Sequence, residues 1–186
     1  MTAAAIIVAA GSGQRFGNAG KSFSPVAGAP MAWWSIQAAN AATSVDEIVL
    51  VCGSHSHDAG IALAAELRTA KLVRVVLGGE RRQDSALAGI GATTEAATIV
   101  AIHDAARPLV TPDLFDATIA TARSFGAAIA AIPVSDTIKR VAASQVVQTV
   151  PRDDLVRVQT PQAFQKELLI AAFAAAEEHG RSVTDE

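Results

Sequence analysis

Short apolar runs alternate along the chain with longer segments in which apolar residues recur at helical spacing. Runs of mostly β-branched or alanine residues predict strands over 4–9, 47–52, 72–77, 98–103 and 127–134. The segments between and after them predict helices over about 30–43, 57–69, 82–92, 112–125 and 165–179, the last ended by Gly180. Strands without polar alternation are typical of strands buried on both faces. The pattern therefore predicts an α/β fold with a doubly wound, mostly parallel, Rossmann-like sheet.

The pattern of apolar and polar residues changes after residue 134. Over about 135–160, polar and apolar residues alternate on both sides of the segment AASQ at 142–145. This alternation predicts a protruding two-stranded β-arm. Because an isolated hairpin is only marginally stable, we expect the arm to pack on another chain.

Length and composition narrow the class of protein. The chain has 186 residues, of which 51% are hydrophobic and 18% charged, and this predicts a single domain over 1–186 with a buried core. A net charge of −3 argues against a nucleic-acid partner. No signal peptide and no apolar run of membrane-spanning length is recognised, so no membrane partner is expected. The single cysteine, Cys52, ends a predicted buried strand and is interpreted as a structural thiol in a cytoplasmic protein.

The glycine-rich segment 9–22 follows the first predicted strand. It does not fit a dinucleotide-binding fingerprint, because Phe16 stands where the third glycine is needed. It does not fit a P-loop either, because Arg15 takes the place of the first glycine. What remains is a turn whose backbone can approach an anion, with Arg15 and Lys21 able to close over a polyphosphate. The alternative is that both cations are solvated loop charges.

The segment GGERRQDS at 78–85 follows the third predicted strand. Its paired glycines allow a tight turn, and Ser85 is interpreted as a residue that caps or starts the next helix. For Arg81 and Arg82, the simplest interpretation is that they are surface charges.

The segment HDAARP at 103–108 follows the fourth predicted strand. Asp104 is therefore placed at the carboxyl end of a strand, where open α/β sheets bind ligands. A carboxylate beside bound phosphates is a natural Mg²⁺ ligand. The alternative is an aspartate that caps a helix or pairs with Arg107. His103 is a candidate base, with a packed and hydrogen-bonded side chain as the alternative.

No Ser-His-Asp or Cys-His arrangement stands out in the sequence. The predicted strand ends carry glycines, cations and a carboxylate, which suit the binding of a nucleoside triphosphate with metal rather than covalent catalysis.

Taken together, these segments resemble the 2-C-methyl-D-erythritol 4-phosphate cytidylyltransferase family over residues 4–186. The motifs that carry the resemblance are, in order, AAGSGQRFG at 9–17, Lys21, GGERRQDS at 78–85, HDAARPLV at 103–110, AIPVSDTIK at 131–139, Arg152, QTPQAF at 159–164 and TDE at 184–186.

The resemblance implies a fold of the nucleotide-diphospho-sugar transferase type and a homodimer formed through the β-arm. It also implies a reaction of non-mevalonate isoprenoid synthesis. The phosphate of 2-C-methyl-D-erythritol 4-phosphate would attack the α-phosphorus of CTP, and pyrophosphate would leave. Mg²⁺ would accompany the CTP.

The resemblance assigns roles to individual residues. The catalytic residues would be Arg15, Lys21 and Arg152. The nucleotide would be bound by Ala9, Ala10, Gly11, Ser12, Gly13, Gly79, Glu80, Ser85, Asp104 and Ala105, with Asp104 also the metal ligand. The methylerythritol phosphate would be bound by Arg107, Thr137, Arg152, Thr160 and Thr184.

The sequence departs from the family pattern in two places. Gly20-Lys21-Ser22 stands where the family has Pro-Lys-Gln. The family continues beyond TDE, so we expect either a truncated C-terminus or the first part of a bifunctional enzyme fused to 2-C-methyl-D-erythritol 2,4-cyclodiphosphate synthase. The alternative functions are a ribitol-5-phosphate cytidylyltransferase, a non-catalytic nucleotide-binding module and, less well supported by the loop spacing, a dehydrogenase.

Overall fold

A computed structural model describes residues 2–11, 20–67 and 69–179 of the chain. The strands are Thr2–Ala9 (β1), Pro25–Val26 (β2), Ala29–Pro30 (β3), Glu47–Cys52 (β4), Leu72–Leu77 (β5), Ala97–Asp104 (β6), Ala127–Pro133 (β7), Ile138–Ala142 (β8), Gln145–Val150 (β9) and Val156–Gln165 (β10). The α-helices are Met31–Ala41 (α1), His57–Leu67 (α2), Arg82–Gly91 (α3), Pro112–Phe125 (α4) and Lys166–Glu178 (α5). None of these helices is long and apolar enough to cross a membrane.

The main sheet has six strands in the order β5-β4-β1-β6-β10-β7. Strands β5, β4, β1 and β6 are parallel, and β10 runs antiparallel to both of its neighbours. The chain winds outward from β1 through β4 to β5 and then returns to place β6 on the other side of β1. The carboxyl ends of β1 and β6 therefore form the topological switch point at which such sheets bind ligands.

Helices cover both faces of the sheet. On one face, Ala5 and Ile7 of β1 pack in a cluster with Phe115 of α4 and residues of α1 and α2. On the other, Ile6 of β1 packs with residues of α3 and α5. Strand β1 is thus buried on both sides, and the prediction of a doubly wound, mostly parallel α/β fold is confirmed. Cys52 is fully buried, and burial raises the pKa of its thiol to about 12, as befits a structural residue.

The ends of α3 and α4 have local chemical causes. Thr111 caps α4, its Oγ1 accepting a hydrogen bond from the N–H of Leu114 at 3.3 Å. At the start of α3, the carboxylate of Asp84 accepts the N–H of Arg81 at 3.1 Å. The interpretation of Ser85 as the residue that caps or starts this helix is therefore wrong. Ser85 lies one turn further on, buried against the turn that precedes α3.

Strands β8 and β9 form the predicted hairpin, which covers residues 138–150 rather than the whole of 135–160. Its turn places Ala143 and Ser144 at positive φ. Residues 156–160 belong instead to β10, a strand of the main sheet that the sequence does not predict. The register of β10 against β7 breaks between Val158 and Gln162, so the segment between them leaves the regular ladder.

Candidate active site

A cleft of about 1130 Å³ opens at the carboxyl ends of the parallel strands. It lies at the switch point beside β1 and β6. Eight of the residues assigned from the sequence line it: Ala10, Gly11, Lys21, Gly79, Glu80, Ser85, Asp104 and Arg107. The structure therefore brings together side chains and glycines that are separated by almost 100 positions in the sequence.

The other residues assigned to the nucleotide or to catalysis do not line the cleft or lie outside the described residues. Ala9 and Ala105 are buried at the ends of their strands, and the N–H of Ala105 donates to the carbonyl of Val8 at 2.9 Å. Four assigned residues lie outside the described part of the chain, and their roles stay predictions: Ser12, Gly13, Arg15 and Thr184.

Lys21 enters the cleft directly after a glycine in the left-handed region. Gly20 has a φ of +99°, and the chain then makes a short 3₁₀ turn over Lys21–Phe23. A proline at this position would fix φ near −65° and could not adopt this conformation. The loop that presents Lys21 therefore has its own geometry where the family pattern has a proline.

The turn between β5 and α3 packs closely on the loop after β1. The N–H of Gly78 donates to the carbonyl of Cys52 at 2.8 Å. A Cβ atom at Gly78 would lie 2.6 Å from Ser85 Oγ and 2.7 Å from Ala10 Cβ. Gly78 therefore allows three segments of the cleft to meet. Sequence reasoning did not assign it to the site, although the paired glycines were a signal.

Asp104 stands between two guanidinium groups at the floor of the cleft. Its Oδ1 accepts from Arg82 Nη2 at 3.1 Å, and its Oδ2 accepts from Arg107 Nε at 3.0 Å. Burial alone would raise the pKa of Asp104, but Arg82 and Arg107 outweigh this effect and hold the pKa below its usual value. Pairing with Arg107 is thus present, and Arg82 is a cleft residue rather than the surface charge that the sequence suggested.

His103 and Thr160 lie beneath the loop that carries Asp104. His103 is fully buried, and Thr160 is 4% exposed. Thr160 Oγ1 lies 2.8 Å from His103 Nδ1 and accepts the N–H of Asp104 at 3.3 Å. Burial lowers the pKa of His103 to about 4. The packed and hydrogen-bonded interpretation of His103 is therefore the right one.

A second cavity, of about 580 Å³, lies on the other side of Arg107. Leu109, Leu114 and Ile132 give it a largely apolar lining. It shares Ala106 and Arg107 with the cleft, so the guanidinium of Arg107 stands between two spaces. The same guanidinium also donates to Gln159 Oε1.

Thr137 and Arg152 lie at the base of the arm. Both are exposed, and Arg152 Nη1 donates to the carbonyl of Ser135. Within the described part of this single chain, neither residue lines the cleft or the second cavity. Their assignment to the second substrate stays a prediction.

The donor set of the cleft decides which metal it can take. Among the described residues, no group of three or more His, Cys, Asp or Glu side chains could hold a metal ion. Asp104 and Glu80 are the acidic side chains among the described cleft residues. This set does not suit a resident metal, but one carboxylate suits an Mg²⁺ ion that takes its other ligands from substrate phosphates and water.

Comparisons with known proteins agree with this chemistry. The family model described as "IspD: 2-C-methyl-D-erythritol 4-phosphate cytidylyltransferase" matches residues 3–186. The bifunctional enzyme IspD/IspF of Desulfotalea psychrophila is 42% identical over 185 residues, which are 98% of this chain and 47% of that protein. The 2-C-methyl-D-erythritol 4-phosphate cytidylyltransferase of Parasynechococcus marenigrum is also 42% identical, over 97% of this chain and 80% of that protein.

A solved structure shows the same fold. The crystal structure of 4-diphosphocytidyl-2C-methyl-D-erythritol synthase from Anaerococcus prevotii matches 99% of this chain and 78% of its own, with a TM-score of 0.87 and 29% sequence identity. The chain spans about half of the bifunctional relative and about four-fifths of the relative with one activity. From the extent of these matches, the chain belongs to the 2-C-methyl-D-erythritol 4-phosphate cytidylyltransferase family.

Proposed function

We propose that the chain transfers the cytidylyl group of CTP to 2-C-methyl-D-erythritol 4-phosphate, forming 4-diphosphocytidyl-2-C-methyl-D-erythritol and pyrophosphate. The observation that carries the proposal is the cleft at the switch point, where Lys21, Arg82 and Arg107 surround a glycine-lined space. Cations and backbone N–H groups in this arrangement match the charge of a triphosphate. Membership of the family supplies the identity of the two substrates.

The reaction needs charge neutralisation more than proton transfer. An oxygen of the methylerythritol phosphate forms a bond to the α-phosphorus of CTP, and the bond from the α-phosphorus to the bridging oxygen breaks with release of pyrophosphate. A phosphate monoester is largely dianionic near neutral pH, so no general base is required. This agrees with the low pKa and complete burial of His103.

Cations around the phosphates lower the barrier by offsetting the repulsion of two anions and the charge that develops on the leaving group. In this proposal Lys21, together with Arg15, binds the triphosphate from the loop after β1. Arg107 stands between the cleft and the second cavity, which suits a group that meets both substrates.

Asp104 is the residue that would hold Mg²⁺ brought in with the triphosphate. When bound, the ion would neutralise phosphate charge and orient the triphosphate. Both carboxylate oxygens of Asp104 already accept from arginines, so part of this pairing must loosen when the ion arrives.

The nucleoside would lie against the backbone of the two glycine-rich turns. Gly11 and Gly79 line the cleft, and Ser85 Oγ is held within 3.4 Å of the Gly79 carbonyl. In the proposal Ala9, Ala10, Ser12, Gly13, Glu80 and Ala105 complete this part of the site.

The arm supports the proposal that the working molecule is a homodimer. It exposes three apolar side chains, Val141, Val146 and Val147, which are 57%, 63% and 56% accessible. Thr137 and Arg152 sit at the base of the same arm, outside the cleft of their own chain. A partner's arm would bring these two residues to the methylerythritol phosphate, which would lie beside Thr160 at the second cavity. Thr184 would complete the substrate-binding set. A single buried thiol agrees with a cytoplasmic location.

The experiment that tests this function is pyrophosphate release by the purified chain with Mg²⁺, using CTP, UTP, ATP and GTP in turn. Each nucleotide is combined with methylerythritol phosphate or with ribitol 5-phosphate. We expect release with CTP and methylerythritol phosphate, and its loss on chelation of the metal. A preference for ribitol phosphate would show that the chain is a ribitol-5-phosphate cytidylyltransferase instead. CTP binding without release by either acceptor would show a non-catalytic nucleotide-binding module.

A further inference from the structure

Two buried polar side chains, His103 and Thr160, lie beside the second cavity and make hydrogen bonds to which the mechanism above gives no role. His103 is the last residue but one of β6 and has no accessible surface, and its ring lies 5.4 Å from that of Phe115 on α4. Thr160 lies where β10 leaves its regular pairing, and it is almost as deeply buried. Buried polar groups are costly unless they are hydrogen-bonded, so their partners indicate what they do.

The hydrogen bonds of this pair have a defined direction. The carbonyl of Arg107 can only accept, so His103 Nε2, 3.3 Å away, must donate to it. In a neutral imidazole Nδ1 is then an acceptor, and it takes the hydroxyl proton of Thr160 at 2.8 Å. A lone pair of Thr160 Oγ1 remains for the N–H of Asp104. Every bond in the chain has one donor and one acceptor.

The chain of hydrogen bonds holds both ends of one turn. The N–H of Arg107 donates to the carbonyl of Asp104 at 2.9 Å, which closes the turn. Thr160 holds the N–H at the Asp104 end, and His103 holds the carbonyl at the Arg107 end. The two residues that the turn presents to the cleft are the proposed metal ligand and the arginine between the two cavities.

We propose that His103 and Thr160 are positioning residues. The neutral imidazole of His103, with its proton on Nε2, links the Thr160 hydroxyl to the Arg107 carbonyl and so fixes the Asp104–Arg107 turn. His103 thus acts in transfer without touching a substrate. This inference rests on the proposed function for its effect on rate, but not for its hydrogen-bond geometry. Because misplacement of a reacting group by about 1 Å can cost about 100-fold in rate, a loosened turn lowers turnover.

The strand β10 supplies a second grip on the same turn. The side-chain Oε1 of Gln159, next to Thr160, accepts a hydrogen bond from Arg107 Nη1. The backbone carbonyl of Gln159 accepts one from Gln162 Nε2 at 3.3 Å. The irregular part of β10 is therefore the platform on which the turn rests.

The first test reads the tautomer in the unsubstituted protein. The chain is labelled with ¹⁵N-histidine, the His103 signals are assigned by their loss in His103→Gln, and a long-range ¹H–¹⁵N spectrum is recorded at pH 7.5. We expect a protonated Nε2 and an unprotonated Nδ1. A proton on Nδ1, in the other tautomer or in an imidazolium, overturns the inference. This result does not depend on activity, so it stands apart from failure of the proposed function.

The second test compares Thr160→Val with Thr160→Ser in steady-state transfer. Valine keeps the shape but removes the hydroxyl, whereas serine keeps Oγ. We expect kcat to fall about 10- to 100-fold in Thr160→Val, with the Kd for CTP changed less than about threefold. Thr160→Ser should recover most of the lost kcat. The His103 signals of Thr160→Val should lose the single-tautomer pattern.

An unchanged kcat in Thr160→Val, or a loss confined to the KM for the methylerythritol phosphate, would contradict the positioning role. If the unsubstituted protein released no pyrophosphate, the proposed function would fail, while the tautomer result would still decide the geometry.

Discussion

At the scale of single residues, the cleft is organised by charge around Asp104. One carboxylate accepts from two arginines that come from different elements, Arg82 on α3 and Arg107 after β6. These contacts keep the carboxylate ionised and aim the arginines at the same space. Lys21, which follows the loop after β1, adds a further cation to the lining of the cleft.

Lys21→Ala is expected to lower kcat by about 100- to 1000-fold, because a charge that acts mainly on the transition state is removed. The Kd for CTP should change only a few-fold, and far-UV circular dichroism should be unchanged. Arg74→Ala is the control, since it removes an exposed cation from β5. Equal kcat values for Lys21→Ala and the control would assign Lys21 to the solvated loop charges.

His103 predicts how stability depends on pH. Burial lowers its pKa from about 6.5 in the unfolded chain to about 4 in the folded one. The unfolded chain therefore binds the proton first, and stability that is complete above pH 6.5 falls as the pH drops towards 4. The contribution approaches about 1.4 kcal/mol per pH unit within this window. Urea unfolding of the metal-free protein between pH 7.5 and 4.5, compared with His103→Gln, isolates the effect. Parallel curves for the two proteins would show that His103 does not titrate in this way.

At the scale of elements, the cleft depends on α3 lying close against β1. Gly89 makes this possible, since a Cβ atom there would lie 2.4 Å from Ile6 Cγ2 and 3.0 Å from Val51 Cγ2. Two turns of glycine-rich chain, before α3 and after β1, then meet at the cleft. The position of this helix is therefore set by a glycine far from the chemistry.

Gly89→Ala is expected to destabilise the fold by about 1–3 kcal/mol through overpacking. Gly91→Ala on the same helix is the matched control, because a Cβ atom at Gly91 would have no neighbour within 4 Å. The control should be neutral or more stable by up to about 1 kcal/mol, through the better helix propensity of alanine. Denaturant unfolding measures both, and similar stabilities for the two variants would argue against a close contact between α3 and β1.

The sequence predicts the elements with a regular apolar pattern, but it misses β10 and the two-residue strands β2 and β3. Strand Glu47–Cys52 is predicted at its observed bounds because its run of apolar side chains is buried on both faces. Strand Leu72–Leu77 is also predicted at its observed bounds, although Arg74 within it is exposed. Strand β10 was missed because Pro161 and Gln162 within it are typical of loops. Its pairing is decided by contacts with β6 and β7, which are distant in the sequence.

In the site, too, the sequence indicates some features and leaves others out. Glycines and charges at strand ends indicated the cleft, since parallel strands bring their carboxyl ends to one edge. The links from Arg82 to Asp104 and from Thr160 to His103 could not be read from local sequence. They depend on the register of one element against another.

At the scale of the whole molecule, the proposed dimer predicts complementation between two inactive variants. If Arg152 acts in the partner's site, Lys21→Ala and Arg152→Ala remove different halves of each site. Each variant alone should lack transfer activity. Mixed dimers, made by co-expression with two different tags, then keep one intact site of two. A random mixture should regain about a quarter of the unsubstituted activity. No recovery in isolated mixed dimers, or a monomer in sedimentation velocity, would contradict a shared site.

The most direct test of the account follows both phosphorus products by ³¹P NMR. The unsubstituted protein is supplied with CTP, methylerythritol phosphate and Mg²⁺. We expect one pyrophosphate to be released for each diphosphate-linked cytidyl product formed, with equal loss of both substrates. Hydrolysis of CTP to CMP and pyrophosphate with the methylerythritol phosphate left intact, or no reaction at all, would contradict it.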